Sequence, residues 1–165
     1  MPNHCTNSVS IEGEFSHRQE FVDKNKGFDW TDTDKKREYR ELSFHAQVPI
    51  PKKHIVSHAK DGSNSDWYGW CNSNWGTKWD CYEIEVSHSE SFTSYSFDTA
   101  WGSPTEWIKK VSKKFPHLRF HVEWAEEGGH GGRYSCWNGE FFHDELMNHS
   151  EWKDFMGYTD DDEDW

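Results

Sequence analysis

The sequence predicts one α+β domain with a βαββαβ core, a mostly antiparallel sheet with helices on one face, and a C-terminal β-hairpin. Three observations predict it. Apolar and polar residues alternate in several short runs, as they do along half-buried strands. Between these runs, apolar residues recur three and four positions apart, as on one face of a helix. Finally, Asn138-Gly139 separates two short runs and is typical of a two-residue hairpin turn.

The N-terminal part of the chain begins with a strand and a helix. Val9 and Ile11 alternate with polar residues and predict the first strand. A capping-box pattern that starts at Ser16 predicts a helix over about 17–26. A polar insertion is expected near residues 28–43, because this stretch shows no clear period.

The middle of the chain adds three predicted elements. Alternation over 44–48, followed by a Pro-Ile-Pro run, predicts a second strand. A short helix is expected over 52–58. Asp66 is expected to cap another helix, in which Trp67 and Cys71 share one face.

The second half of the chain shows the clearest patterns. Alternation predicts a hairpin of strands 82–86 and 93–101. The following Ser-Pro-Thr-Glu run predicts an N-cap at Ser103, ahead of a helix with one apolar stripe: Trp107, Ile108, Val111 and Phe115. Residues 118–124 alternate in a strand that faces this stripe, and residues 134–143 form the last hairpin.

Composition and charge limit the classes of partner. The 165 residues are 33% hydrophobic, yet 17% are Phe, Trp or Tyr, so the core is expected to rely on aromatic rings. The net charge of −12 disfavours direct DNA binding and binding to an anionic membrane, and it fits a protein partner with a basic surface. Residues 1–157 are predicted to form the single domain, and residues 158–165 an acidic, disordered tail.

The expected location is the cytoplasm of a host cell. The sequence has no apolar run near the roughly 20 residues that span a bilayer, and it does not open with a signal peptide. Cysteines in such a compartment are reduced, and these lack the spacing of zinc ligands, so all four are expected to be small buried residues: Cys5, Cys71, Cys81 and Cys136.

Several short motifs resemble one known family. They occur in the order Pro49-Ile50-Pro51, Asn74-Trp75-Gly76-Thr77-Lys78-Trp79-Asp80, Thr99-Ala100-Trp101 and Ala125-Glu126-Glu127-Gly128-Gly129. Together they resemble small phage and plasmid proteins with a ferredoxin-like domain, the YubB-like family, over most of the chain to about His143. The resemblance implies a ferredoxin-like fold without iron–sulfur chemistry and an origin in a mobile element. It implies no activity and no catalytic residue.

The candidate binding residues are aromatic and basic. A platform for a base or a nucleotide could be built from four of them: Trp75, Lys78, Trp79 and Trp101. Arg133 and Lys78 could bind a phosphate. Packing in the core is the favoured explanation of the same tryptophans. No catalytic residue, metal site or cofactor is expected, because no histidine pair is followed by a further ligand at a motif spacing.

The function expected from charge and resemblance is that of a non-enzymatic phage or plasmid accessory protein. Such a protein would bind and inhibit a host factor, in counter-defence or host takeover, with an acidic surface that mimics nucleic acid. One alternative is a nucleotide- or RNA-binding protein that uses aromatic residues on the sheet face. A second alternative is a small hydrolase of the phosphoesterase type, which requires a pocket with convergent histidines and carboxylates.

Overall fold

The structure is a computed structural model and describes residues 3–31, 39–60 and 66–159. Twelve elements occur in these ranges. The strands are β1 His4–Glu12, β2 Tyr82–His88, β3 Thr93–Ala100, β4 Arg119–Glu126, β5 His130–Trp137 and β6 Glu140–Leu146. The helices are α1 Phe15–Lys24, α2 Phe44–Gln47, α3 Lys52–Lys60, α4 Asp66–Asn74, α5 Thr105–Lys114 and α6 His149–Met156.

The six strands form one antiparallel sheet in the order β2-β3-β1-β4-β5-β6. The first four strands, with α1 and α5 as the two crossover helices, have the predicted βαββαβ topology. The hairpin β5–β6 extends the sheet beyond β4, and the extra helices α2, α3 and α4 lie between α1 and β2 in the chain. The predicted α+β class and its core are therefore confirmed.

The core lies between the sheet and the helices, and aromatic rings fill much of it. Trp107 of α5 stacks on Phe44 with ring centroids 4.6 Å apart, and Phe44 also contacts Phe97 of β3. Phe21 of α1 contacts Phe120 of β4 edge to face. The predicted stripe of α5 is buried throughout, and the inward residues of β1, β3 and β4 face it.

The strand predicted over 44–48 is wrong. These residues form the short helix α2, in which Phe44 is completely buried. Alternating apolar residues at 44, 46 and 48 form a strand only where a neighbouring strand pairs with them. Here the backbone N–H of Phe44, the first of the helix, is bonded to a side chain and not to another strand. The acceptor is a carboxylate oxygen of Asp80, 2.8 Å from the nitrogen of Phe44.

Both predicted Ser N-caps are also wrong. Helix α1 starts earlier, after Glu14, so Ser16 lies inside its first turn. Helix α5 starts after Pro104, and the Ser103 hydroxyl bonds to the Tyr134 hydroxyl at 2.8 Å instead of capping the helix. Tertiary contacts have here replaced the local hydrogen bond that the capping box would supply.

The C-terminal part of the domain combines a confirmed turn with a helix that was not predicted. Asn138 and Gly139 have φ values of 48° and 81°, as the predicted type I′ turn requires. Helix α6 carries a complete capping box, because Asn148 and Glu151 each accept the other's backbone N–H. Gly157 ends it in the left-handed conformation.

Candidate functional site

The side of the sheet opposite α1 and α5 carries polar residues and is called the open face below. Its outward positions alternate with the core positions along each strand, so the register determines which side chains are neighbours. One row across the sheet consists of Glu85, Ser96, Ser8, Glu123, Arg133 and Glu145. Most of these side chains are exposed, and the face is short of the large apolar residues that would mark an unfilled packing surface.

Arg133 is surrounded by carboxylates on the open face. Its guanidinium lies 3.8 Å from Glu123, 3.5 Å from Glu145 and 3.4 Å from Glu151 of α6. One guanidinium cannot neutralise three carboxylates, so this corner keeps net negative charge. The pairs are partly exposed, which limits what each contributes to stability.

A hydrogen-bonded chain of three side chains orders the neighbouring part of the face. His121 Nε2 lies 2.9 Å from Glu12, and His121 Nδ1 lies 2.7 Å from the hydroxyl oxygen of Ser135. The hydrogen bond from His121 lowers the pKa of Glu12, so this carboxylate is ionised and can only accept. In the neutral imidazole, Nε2 then carries the proton and the Ser135 hydroxyl donates to Nδ1.

This chain resembles the serine–histidine–acid relay of hydrolases in connectivity. Acyl transfer also needs donors for the developing oxyanion. Ser135 lies on β5 between β4 and β6, beside the register shift that separates the Arg133 and Ser135 pairings with β6. The two hydrogen bonds of His121 hold these three side chains in place on the open face.

A shallow cavity of about 220 Å³ lies over this region of the open face. A register shift between β5 and β6 brings His143 to its rim, where His143 has a φ of 52°. Non-glycine residues rarely adopt such values, and bulges commonly redirect side chains at functional surfaces. The cavity is thus lined by histidines, serines and carboxylates that belong to four different strands.

A second and larger cavity, of about 500 Å³, lies beside the start of β2 and is called the β2 cavity below. It is lined by Asp29, Thr31, Trp67, Lys78, Trp79, Asp80, Cys81 and Tyr82. The Lys78 ammonium lies 4.8 Å from the centroid of the Trp79 ring and 5.7 Å from that of Tyr68, within the range of cation–π attraction.

The structure does not bring the predicted binding residues together. Trp75 is completely buried and donates its indole N–H to Val48, so its expected role in a ligand platform is wrong. Lys78 and Trp79 share the β2 cavity, whereas Arg133 lies on the open face. Trp101 is exposed just beyond β3 with a φ of 76°, and it lines neither of these cavities.

Sequence reasoning missed Glu12, His121 and Ser135. Their positions were visible as the polar half of alternating runs, but their contacts depend on the pairing register. Two rows cross the middle of the described sheet, one through Ser8 and one through Ser10. Both carry mostly serines and charged residues on the open face, not the aromatic residues that were expected there. The alternative of base stacking on the sheet therefore has no platform there.

The remaining expectations concern cysteines, metals and membranes. All four cysteines are free and buried, as expected, and burial raises the pKa of Cys5 and of Cys71 to about 12. Among the described side chains, no group of three or more His, Cys, Asp or Glu is placed to hold a metal ion. None of the helices in the described ranges combines the length and apolar character that crossing a membrane requires.

Comparisons with known proteins place the chain in a family. A family profile described as the ferredoxin-like domain in Api92-like protein matches residues 74–163, more than half of the chain. The crystal structure of the protein api92 from Yersinia pseudotuberculosis matches with a TM-score of 0.53 and 14% identity, over 64% of this chain. The match spans 39% of the Yersinia protein, and at this identity it shows the fold alone. No curated protein matches the sequence significantly.

These findings correct the family inferred from sequence motifs. The resemblance to the phage and plasmid YubB-like family is wrong, because the family match and the Yersinia structure both indicate Api92-like proteins. The expected origin in a phage or plasmid rested on that resemblance and loses its support. The ferredoxin-like fold is retained: the chain belongs to the family of ferredoxin-like domains of Api92-like proteins.

Proposed function

We propose that this domain is a non-enzymatic binding module whose open face takes a basic segment of a partner protein. The carboxylate cluster around Arg133 carries the proposal, because Glu123, Glu145 and Glu151 already hold one guanidinium and retain excess negative charge. A guanidinium or ammonium from a partner would find acceptors of the right charge at the same place.

The charge of the whole face supports the same partner class. Six carboxylates occupy its outward positions, against the guanidinium groups of Arg119 and Arg133: Glu12, Glu85, Asp98, Glu123, Glu140 and Glu145. Opposite charge on a partner would steer it to this face and accelerate association. Nucleic acid would be repelled by the same field.

The fixed geometry of the face supports binding rather than chemistry. Ser135, His121 and Glu12 are already hydrogen-bonded to one another, so little side-chain entropy is lost when a partner docks on them. The strands that carry these residues pair on both sides, which holds their backbone rigid.

The test is a titration of the full chain with a fluorescent peptide of mixed lysine and arginine, followed by anisotropy. Glu123→Gln combined with Glu145→Gln should weaken binding about tenfold. The matched control, Glu20→Gln with Glu90→Gln, changes the net charge equally on α1 and on the β2–β3 turn, and should have little effect. Binding should also weaken with added salt.

Two outcomes would contradict the proposal. Equal losses for both double variants would show that only net charge matters. Tighter binding of single-stranded RNA than of the basic peptide, at physiological salt, would favour a nucleic-acid function instead. Association rates give an independent check, because neutralising carboxylates of the face should slow association more than it accelerates dissociation.

A further inference from the structure

The β2 cavity has walls that the fold positions rigidly. Between α4 and β2, the Thr77 hydroxyl donates to the carbonyl of Ala100 at 2.8 Å and accepts its N–H at 3.1 Å. Asp80 is buried and accepts four hydrogen bonds, from the Ser43 hydroxyl, the N–H of Phe44, and the N–H and thiol of Cys81. Lys78 and Trp79 lie between these two anchored residues and remain half-exposed, so the backbone presents both side chains to the cavity.

Among the described residues, Lys78 has no carboxylate partner. Its ammonium contacts the rings of Trp79 and Tyr68, and it forms no ion pair with any residue that the structure describes. In a chain with a net charge of −12, carboxylates are abundant, so a lysine that is held against aromatic rings instead is available to an external anion. Its partial removal from water strengthens its attraction for such a group.

The carboxylates that line the β2 cavity are already engaged. One oxygen of Asp29 accepts from the backbone and hydroxyl of Thr31, and the other lies 3.5 Å from Arg40. Asp80 accepts from Ser43, Phe44 and Cys81, and its burial raises its pKa. Neither group therefore competes strongly with a bound anion for the Lys78 ammonium.

The apolar part of the cavity consists of aromatic rings. Trp67, Trp79 and Tyr82 contribute ring surface, and the Tyr82 hydroxyl is held by a hydrogen bond with His4 Nδ1. A volume of about 500 Å³ accommodates a small molecule with one or two fused rings.

We propose that the β2 cavity binds a small molecule that combines a flat aromatic ring with one anionic group, the ring packing against Trp79 and Tyr82 and the anionic group meeting Lys78. Phosphate and carboxylate share this chemistry. This site meets the open face at Tyr82, which pairs with Asp98, and it shares no lining residue with the cavity near Arg133. Its occupancy does not depend on the partner proposed above.

The experiment is isothermal titration of the full chain with four probes. Adenosine monophosphate and indole-3-acetate each combine a ring with an anion, whereas adenosine lacks the anion and ribose 5-phosphate lacks the ring. At least one of the first two should bind, and at least about tenfold more tightly than either partial probe.

Variants test the role of Lys78 directly. Lys78→Met should weaken the anionic probe about tenfold without changing a weak affinity for adenosine, and Lys78→Arg should restore most of the loss. Lys53→Met, on the exposed side of α3, is the charge-matched control and should change nothing. Circular dichroism of each variant verifies that it is folded.

A measurement on the unmutated protein avoids the risk that a variant misfolds. In a proton–nitrogen NMR spectrum, the bound anionic probe should shift the indole N–H signal of Trp79 and leave that of Trp137 unchanged. Failure of both anionic probes to bind at millimolar concentration would overturn the proposal. So would equal affinity for adenosine and its monophosphate where the monophosphate binds, or equal losses from Lys78→Met and Lys53→Met.

Discussion

The buried carboxylate of Asp80 accepts the backbone N–H of Phe44 at 2.8 Å and thereby joins the first turn of α2 to the segment just before β2. Its other oxygen accepts from the Ser43 hydroxyl at 3.0 Å, and its first oxygen also accepts from the N–H of Cys81 at 2.8 Å. Two backbone N–H groups that would otherwise be buried without an acceptor are satisfied by one side chain, which connects the segment before α3 to the sheet.

Asp80 should therefore tolerate an amide and not an apolar residue. Asp80→Asn keeps an oxygen for Phe44 and Cys81 and can donate to Ser43, so its free energy of unfolding should stay within about 1 kcal/mol of the parent at neutral pH. Asp80→Leu leaves two buried backbone N–H groups unpaired and should destabilise by more than about 3 kcal/mol. Denaturant unfolding monitored by circular dichroism measures both.

A comparison of the parent protein with Asp80→Asn also gives a prediction about pH. Burial raises the pKa of Asp80 above its ordinary 3.8. The protonated carboxyl is thus favoured in the folded state, and the associated stability is lost as the pH rises from 3.8 through the folded pKa. Asp80→Asn should become more stable relative to the parent over this rise. A constant difference between the two proteins would contradict this account of Asp80.

Ser103 should act through Tyr134 and not through the α5 terminus. Removing either hydroxyl, by Ser103→Ala or Tyr134→Phe, should cost about 1 kcal/mol because the partner is buried and loses its hydrogen bond. The double variant should cost less than the sum. Asn148→Ala is the control, since it removes an observed cap and should fray α6. Additive losses at Ser103 and Tyr134 would argue against this bond.

Two glycines on either side of the α4 C-terminus should respond oppositely to alanine. Gly76 has a φ of 80°, and a Cβ there would lie 3.3 Å from the backbone nitrogens of Thr105 and Glu106, so Gly76→Ala should destabilise by more than about 1 kcal/mol. Gly69 lies inside α4 with open space around it, so Gly69→Ala should stabilise by about 0.5–1 kcal/mol. Melting temperatures that move in the same direction would contradict both assignments.

The acidic C-terminus should be dispensable for folding. Tyr158 stacks on Trp152 of α6 and belongs to the folded part, whereas residues 160–165 lie outside the described ranges. The five acidic residues before Trp165 have no apolar face to bury, so a truncation after Tyr158 should melt close to the full-length temperature. A large drop would show that Trp165 packs on the domain.

Local patterns were sufficient for part of the site and not for the rest. The sequence singled out Lys78, Trp79 and Arg133 by residue type, but it could not separate them from Trp75, which has the same chemistry and lies in the core. The contacts of Arg133 with Glu123, Glu145 and Glu151 combine two strand pairings with the position of α6. Helix α6 itself could have been found, because its Asn-x-x-Glu start and glycine end are local signals.

The sequence by itself determined the elements whose signals are local: the alternating strands, the apolar stripe of α5, and the Asn138-Gly139 turn, whose positive φ values few other residues tolerate. Tertiary structure decided three things. It made 44–48 a helix, because the Asp80 carboxylate supplies the acceptor for its first turn. It redirected Ser103 to Tyr134. It also set the register that places His121 between Glu12 and Ser135. The sequence of a strand fixes which of its side chains share a face, but it does not fix which residues of the neighbouring strands lie opposite them.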